Sequence, residues 1–355
     1  MQLQEMGFSP KVEKLAHDLA FDSFSLGRVI SEHKERYVVA TENGDVDAEI
    51  TGNLRFTAQC REDFPAVGDW VALIQCDQQF AVIHKIMPRF SAMKRQSVKN
   101  RSESQIIASN IDVALLVQSV DRDFNINRLE RYLAICYSST IEPIIVFTKV
   151  DLYDKEHLSK IISHTKQRLP NIPVFTISNA TLEGLETLKM ALEKGKTYCM
   201  IGSSGAGKST LLNNLTGRQL MSTGAISKST GKGRHTTSHR ELTVLDNGAI
   251  IIDNPGMREA GLADASEGIE TMFDQISTLA KNCRFSNCTH TSEKGCAIIE
   301  ALENGTLDKA AYENLMKMQK EQKRYELSVE EKHRTDKIFG KMLKNYKKES
   351  GKDKF

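Results

Sequence analysis

The sequence predicts a multidomain fold: an N-terminal OB-like β-barrel, a central α/β P-loop domain wired in circularly permuted order, and a C-terminal zinc-binding α-helical domain. Three observations predict it. Short alternating segments separated by turn residues fill the N-terminal quarter, a glycine-rich phosphate-binding signature lies between an apolar run and a helical one at 198–215, and three cysteines and a histidine crowd into 283–296. At 355 residues, 40% hydrophobic and 26% charged, the chain is long enough to bury two or three cores. No run of 18 apolar residues occurs and Met1 to Phe8 does not read as a signal sequence, so a cytoplasmic protein with no membrane contact is expected.

The N-terminal module opens with a short helix near Pro10 to Leu19. Five alternating segments follow, Gly27 to Ile30, Arg36 to Ala40, Asp45 to Ile50, Trp70 to Ile74 and Phe80 to Ile86, separated by turns at Asn43-Gly44 and Val67-Gly68-Asp69. Five short strands at this spacing fit an OB-type barrel, a fold that often grips nucleic acid, and an SH3-like barrel would give the same pattern. Tyr37, Phe56, Phe64 and Trp70 serve either as stacking platforms or as core, with Trp70 read as core. Arg89, Lys94, Arg95, Lys99 and Arg101 form a basic stretch leading out of the barrel, and a second, from Lys337 to Lys354, ends the chain; the net charge of +2 hides both.

The central domain enters through a strand at Ile111 to Val117 and a helix around Asn127 to Tyr137. A strand at Pro143 to Phe147 then runs into Thr148-Lys149-Val150-Asp151, which resembles the [NT]-K-x-D element that reads guanine in GTPases. Guanine presents two donors on one edge, and the Asp151 carboxylate accepts both; Thr148 stands where Asn is commoner. Val174 to Asn179 follows, with Ser178-Asn179 where a Ser-Ala loop would help hold the base, and then a helix near Leu182 to Glu193. Residues Gly202-Ser203-Ser204-Gly205-Ala206-Gly207-Lys208-Ser209 complete a G-x-x-x-x-G-K-[ST] phosphate loop, entered from an apolar strand and left by a helix through Thr210. Its glycines let successive N–H groups face a phosphate, Lys208 reaches the β- and γ-phosphates, and the Ser209 hydroxyl ligates Mg²⁺.

Downstream, Ala249 to Ile252 runs into Asp253-Asn254-Pro255-Gly256, matching D-x-x-G, in which the Asp supports Mg²⁺ through water and the Gly amide senses the γ-phosphate. The loop from Thr223 to Arg240 occupies the position of switch I, with Thr236 and Thr237 placed to meet Mg²⁺. The guanine element thus precedes the phosphate loop by about 50 residues, the reverse of the ordinary order. Cys283, Cys288, His290 and Cys296 form a C-x4-C-x-H-x5-C pattern suited to a closed tetrahedral zinc site. Cys60, Cys76, Cys136 and Cys199 are scattered and read as core thiols.

This arrangement resembles the circularly permuted RsgA (YjeQ) GTPases, which act in assembly of the small ribosomal subunit. The resemblance covers nearly the whole chain. It implies bound GTP or GDP, Mg²⁺ and one Zn²⁺, the small subunit and its rRNA as partners, and a monomer. It also implies that His235 positions the attacking water, because Met257 stands where many GTPases carry Gln; His235 and Lys208 are the catalytic assignments. Hydrolysis stimulated by the subunit, with release afterwards, is the expected function. A metabolic P-loop enzyme is opposed by the guanine element, and an RNA-binding module using its P-loop for another purpose is opposed by the joint presence of Lys208, Ser209 and Asp253. The expected boundaries are an extension at 1–24, the barrel at 25–95, a linker at 96–110, the G domain at 111–265, the zinc domain at 266–335 and a basic tail at 336–355.

Overall fold

The computed structural model describes residues 3–17, 24–33, 35–96, 104–218, 240–253 and 265–326, together with 331 and 334. β1 (Ser25–His33), β2 (Arg36–Thr41), β3 (Gly44–Ile50), β4 (Trp70–Gln75) and β5 (Phe80–Ile86) carry buried residues on one face and more exposed ones on the other along much of their length. They pair in the order β1-β2-β3-β5-β4, and β4 returns to β1. Closure removes the edges and gives a five-stranded barrel of the OB type, with β3 and β5 parallel. Its interior is filled by Val29, Tyr37, Val39, Val46, Leu73 and Ile83. Trp70 is core, edge-to-face with Phe8 at 5.2 Å, whereas Phe56 stands 90% exposed on α2 (Gly52–Thr57). Of the cysteines read as core thiols, Cys136 and Cys199 are buried but Cys60 and Cys76 are exposed, since both sit in connections outside the barrel wall.

The span expected as a linker carries structure of its own. β6 (Ala92–Gln96) and β7 (Ser104–Ser109) form a separate two-stranded ladder, held down by buried Met93, Ile106, Ile107 and Ala108. Two residues of the basic stretch leading out of the barrel have internal partners: Arg89 forks onto Asp69 at 2.8 and 2.6 Å, and Lys94 pairs with Glu62 at 2.9 Å. Lys99 and Arg101 lie outside the described residues, as does the basic tail.

The other half of the main sheet is an open, mostly parallel one. β8 (Val113–Ser119), β9 (Glu142–Thr148), β10 (Val174–Thr176), β11 (Thr197–Ile201), β12 (Arg240–Val244) and β13 (Ile250–Asp253) lie in the order β10-β9-β8-β11-β13-β12, with only β12 antiparallel to its neighbour β13. β8 and β11 are buried throughout because helices cover both faces. α3 (Ile126–Ser138) and α4 (Lys155–Arg168) pack on one face, α5 (Leu185–Ala191) and α6 (Lys208–Thr216) on the other. α1 (Pro10–His17) precedes the barrel. The C-terminal region opens with two helices, α7 (Ser266–Met272) and α8 (Asp274–Ala280), divided where the buried Phe273 takes φ −111°. α9 (Ala297–Glu303) and α10 (309–326) complete the described C-terminal region. α7 crosses α3 so closely that a Cβ on Gly268 would lie 1.9 Å from the Ala134 carbonyl oxygen, which is why glycine stands there.

Barrel and G domain are joined by backbone and by one buried cation. β1 pairs antiparallel with β12, Ser31 opposite Glu241 and Glu32 opposite Arg240. One turn of strand away, the Arg28 guanidinium, 1% exposed, donates to the carbonyls of Met6 (2.5 Å), Gly68 (3.2 Å) and Asn110 (3.1 Å) and to Thr197 Oγ1 (2.9 Å). Burial lowers its pKa to about 10, with Asp112 and Asp69 opposing, so it remains charged at neutral pH. Arg28→Met should leave those acceptors dry and unpaired, destabilising the protein by about 3 kcal/mol, while Arg28→Lys recovers only part. The midpoint of urea unfolding measures this; an unchanged midpoint would show that the joint does not depend on the guanidinium.

Candidate nucleotide site and metal centre

The chain leaves β8 toward β9 and β10 but leaves β11 toward β13 and β12, so the sheet reverses direction between two adjacent strands. Open parallel sheets bind ligands outside the carboxyl ends of such a pair. Every described element of the expected nucleotide site ends there: the phosphate loop after β11, Thr148 to Asp151 after β9, Ser178 and Asn179 after β10, and Asp253 at the end of β13. A cavity of about 470 Å³ opens between the phosphate loop, Lys149 and the turn after β8, lined by Asp121, Arg122, Asp123, Lys149, Tyr153 and Ser204 among others.

The phosphate loop is shaped by what surrounds it. A Cβ on Gly202 would come 2.1 Å from the Val117 carbonyl oxygen, and Gly207 takes φ +89° immediately before α6, with no room toward Asn179. The loop and helix start therefore present backbone N–H groups and the positive helix end to the crevice. Lys208 lies along its own loop, donating to the carbonyls of Gly202 (2.7 Å) and Ser203 (2.6 Å). Ser209 and Thr210 follow in the first turn of α6.

Thr148 is fully buried, and its hydroxyl donates to the Ala206 carbonyl at 2.6 Å. The replacement of Asn by Thr therefore keeps the tether between guanine element and phosphate loop. Lys149 adopts φ +61°, a left-handed conformation that turns the chain out of the strand, and its ammonium pairs with Asp121 at 2.8 Å. Val150 is buried beneath this turn and Asp151 is exposed beside it, with its carboxylate free to face a base. Asn179, a second departure, proves to be a second tether: its Nδ2 donates to the Gly207 carbonyl at 3.1 Å, while Asn214 donates to the Asn179 carbonyl at 3.1 Å. Ser178 is buried and accepts from the N–H groups of Ala180 and Thr181.

Asp253 is the titratable group most altered near the phosphate loop. Burial raises its pKa to about 6, with Lys208 pulling it down and Glu241 pushing it up. A carboxylate so short of positive charge fits a position that a divalent cation would serve. Thr236, Thr237, His235 and Gly256 lie outside the described residues.

Between α8 and the start of α9, Cys283, Cys288, His290 and Cys296 bring four ligand atoms within 4.8 Å of one another. Cys283 Sγ lies 3.8 Å from Cys296 Sγ, and each of these sulfurs lies 3.5 Å from His290 Nδ1. A tetrahedron of zinc–sulfur bonds has edges of about 3.8 Å, shorter where nitrogen replaces sulfur, so these donors match that ion. Tyr312 of α10 donates its hydroxyl to the His290 carbonyl at 2.7 Å, tying the centre to the helix behind it.

Comparison with known proteins agrees with this geometry. A family model described as RsgA GTPase matches residues 86–263. A relative from Bacteroides thetaiotaomicron, named small ribosomal subunit biogenesis GTPase RsgA 1, is 38% identical over 344 residues, 96% of either chain. The chain belongs to the RsgA GTPase family. A further family relative, from Opitutus terrae, is 39% identical over 333 residues, 91% of this chain and 90% of its own. Of solved structures, YjeQ from Thermotoga maritima superposes with a TM-score of 0.63 at 27% identity over 84% of this chain and 98% of its own. YloQ, described as a circularly permuted GTPase, shares the fold with a TM-score of 0.59 at 24% identity, over 85% and 96% of the two chains.

Within this RsgA chain, motif spacing missed two residues that touch the site. Asp121 and Asp123, in the turn after β8, hold Lys149 and the Ser203 hydroxyl (2.6 Å). The sequence signal for both was the run Ser119 to Asn125 at a strand's carboxyl end, polar where a buried strand stops. Thr148→Val keeps the side-chain shape but deprives the buried Ala206 carbonyl of its donor. It should cost about 1–2 kcal/mol of stability and raise amide exchange in 203–207. Hydrogen exchange resolved by mass spectrometry reads both, and unaltered exchange in that segment would show the tether to be dispensable.

Proposed function

We propose that this protein binds the small ribosomal subunit with GTP in place, hydrolyses GTP to GDP and phosphate there, and leaves, as a late step in subunit maturation. The observation that carries this reading is the 96% mutual coverage with a relative named for small ribosomal subunit biogenesis, in a chain whose guanine and phosphate elements meet at one crevice. Asp151 accepts from the guanine edge, Lys149 lies along the base, and Lys208 leaves its two carbonyl partners for the β- and γ-phosphates. Ser209 and Asp253 would hold Mg²⁺, the latter through water; that ion neutralises charge developing on the phosphates. Thr236 or Thr237 completes the Mg²⁺ contacts and Gly256 senses the γ-phosphate. His235 orients the attacking water in place of the Gln that Met257 replaces. The barrel, the metal centre and the basic tail contact rRNA, and the protein acts as a cytoplasmic monomer.

Phosphate release measured with and without purified small subunits tests the central claim. The rate should rise at least tenfold with subunits. His235→Ala should lose most of that rise while still co-sedimenting with the subunit in GTP, because a water-orienting group acts on the transition state and not on binding. A rate indifferent to subunits would remove the ribosomal reading and leave a GTPase with another partner.

The ion at the cysteine cluster is proposed to be zinc, one per chain. Cys288→Ser should drop the zinc content of the purified protein to near zero by elemental analysis and lower the first thermal transition, since a closed site of this kind supplies local folding energy. GDP affinity should change little, because the cysteine cluster shares no residue with the lining of the crevice. A wild-type protein folded around no metal would refute the assignment.

A further inference from the structure

Two loops flank the crevice at the sheet's reversal point, and only one of them carries a known motif. The phosphate loop follows β11; the turn 119–125 follows β8, and its role has no motif to announce it. Its side chains nonetheless reach both halves of the nucleotide site. Asp121 Oδ2 takes the Lys149 ammonium at 2.8 Å, and its other oxygen accepts from Ser119 Oγ (2.8 Å) and the Asp123 N–H (2.9 Å). Asp123 in turn accepts from Ser203 Oγ of the phosphate loop at 2.6 Å and from Arg128 at 2.9 Å. The turn is anchored from below, where the buried Gln118 donates to the carbonyls of Asp123 and Asn125, and Asn125 caps α3. It is therefore a rigid bracket, and the two carboxylates it carries point at Lys149 and Ser203.

We infer that Asp121 is a positioning residue for nucleotide binding, holding the Lys149 ammonium so that the lysine stem lies stretched across the cavity as the platform for the guanine ring. A free lysine would have to give up the freedom of four rotatable bonds each time a nucleotide bound; a lysine already held at its far end has given it up beforehand. Lys149 and Asp121 have side chains only 24% exposed, so solvent screens their attraction less than it would a surface pair. The Asp121 carboxyl lies below its usual range: burial alone would raise it, and the bonds from Lys149, Asp123 and Ser119 outweigh that. The Asp121 carboxylate is thus charged at neutral pH. Asp123 does the corresponding service for Ser203, so one bracket sets the spacing between the base platform and the phosphate loop.

This inference rests on the guanine-site reading, and the experiment separates the two. Asp121→Asn is the informative change, because an Asn oxygen can still accept in the turn from Asp123 N–H while the charge facing Lys149 is lost. Titrations of purified protein with fluorescently labelled GDP and GTP are read for four chains: unsubstituted, Asp121→Asn, Lys149→Met, and both together. Asp121→Asn is expected to weaken GDP and GTP by the same factor, about five- to tenfold, since the base is common to both. In the Lys149→Met background it should weaken neither further, and Lys149→Arg should retain more affinity than Lys149→Met. A loss from Asp121→Asn of equal size with or without Lys149 would mean that the residue only shapes its turn, and no loss in either background would mean that Lys149 needs no anchor; each overturns the inference. A melting temperature for each variant identifies any loss that comes from unfolding, and Lys149→Arg against Lys149→Met then decides, because equal affinities there also overturn it. Failure of the underlying reading shows differently, as an unsubstituted protein that binds ADP as tightly as GDP.

Discussion

One guanidinium holds three parts of the chain in a single arrangement. Arg28 belongs to the barrel strand β1, yet its partners are Met6 in the N-terminal segment, Gly68 in the barrel turn, Asn110 at the entry to the G domain, and Thr197 at the start of the strand that carries the phosphate loop. A buried arginine is costly to desolvate, so it is tolerated only where its donors are satisfied in a fixed fork. The same joint is reinforced by Asp69, itself fully buried, which receives Arg89 and Ser109. Gly68 between them approaches the Ser109 carbonyl so closely that a Cβ would lie 2.1 Å away. The barrel thus sits on the G domain through hydrogen bonds that point in particular directions, which fix orientation more sharply than an apolar contact would.

Permutation gives this joint its meaning. β12, which follows the switch I segment, pairs on one side with β13 and on the other with β1 of the barrel, so displacement of that strand is felt by the barrel backbone directly. β13 ends at Asp253, and the chain resumes its described course at α7, which crosses α3 at Gly268. α3 then meets α10 through a buried network: Arg168 forks onto Glu130, Asn314 donates to Glu130, and Arg168 also reaches Asp308 at 2.8 Å. Glu130 is 1% exposed, and burial raises its pKa against the pull of Arg168 and Asn314. The strands that flank the two segments proposed to meet the γ-phosphate are consequently wired to the two regions proposed to touch RNA, one by a strand ladder and the other by helix crossing. Interfaces of this kind hold discrete arrangements and do not bend continuously, as a nucleotide switch requires.

Much of this was legible in the sequence, and the parts that were not share a cause. The phosphate loop, the guanine element and the cysteine cluster were readable because ligand chemistry there demands particular residue types at particular spacings, and Thr148 could be aligned even though its role as tether could not. The barrel strands were readable from period-two burial, but the choice between OB and SH3 types waited on which strands close the ring, a long-range pairing with no local signature. Arg28 in a strand pattern reads as a solvent-facing position; only the arrangement of Met6, Gly68, Asn110 and Thr197 around it reveals a buried one. Cys60 and Cys76 failed in the opposite sense, since the general tendency of thiols to be buried says nothing about a connection with no layer above it. Within the span read as a linker, Ile106 to Ala108, three apolar residues in a row, belong to the paired strand β7.

The site's charges are internally balanced in a way that defines what a nucleotide must change. Lys149 is matched by Asp121, while Lys208 faces carbonyl oxygens and burial holds the Asp253 carboxyl up at about 6. Phosphate oxygens carrying full charge are better partners for Lys208 than neutral carbonyls, so the lysine can exchange partners at a net gain. In the proposed reading a divalent cation would supply Asp253 with the charge that Lys208, once turned toward the phosphates, would provide less of. On the proposed reading base recognition would use a lysine already locked in place, and phosphate recognition one that must move. The division fits a protein whose affinity for the guanine ring should be constant through the cycle, while everything around the γ-phosphate is rearranged by its arrival and its loss.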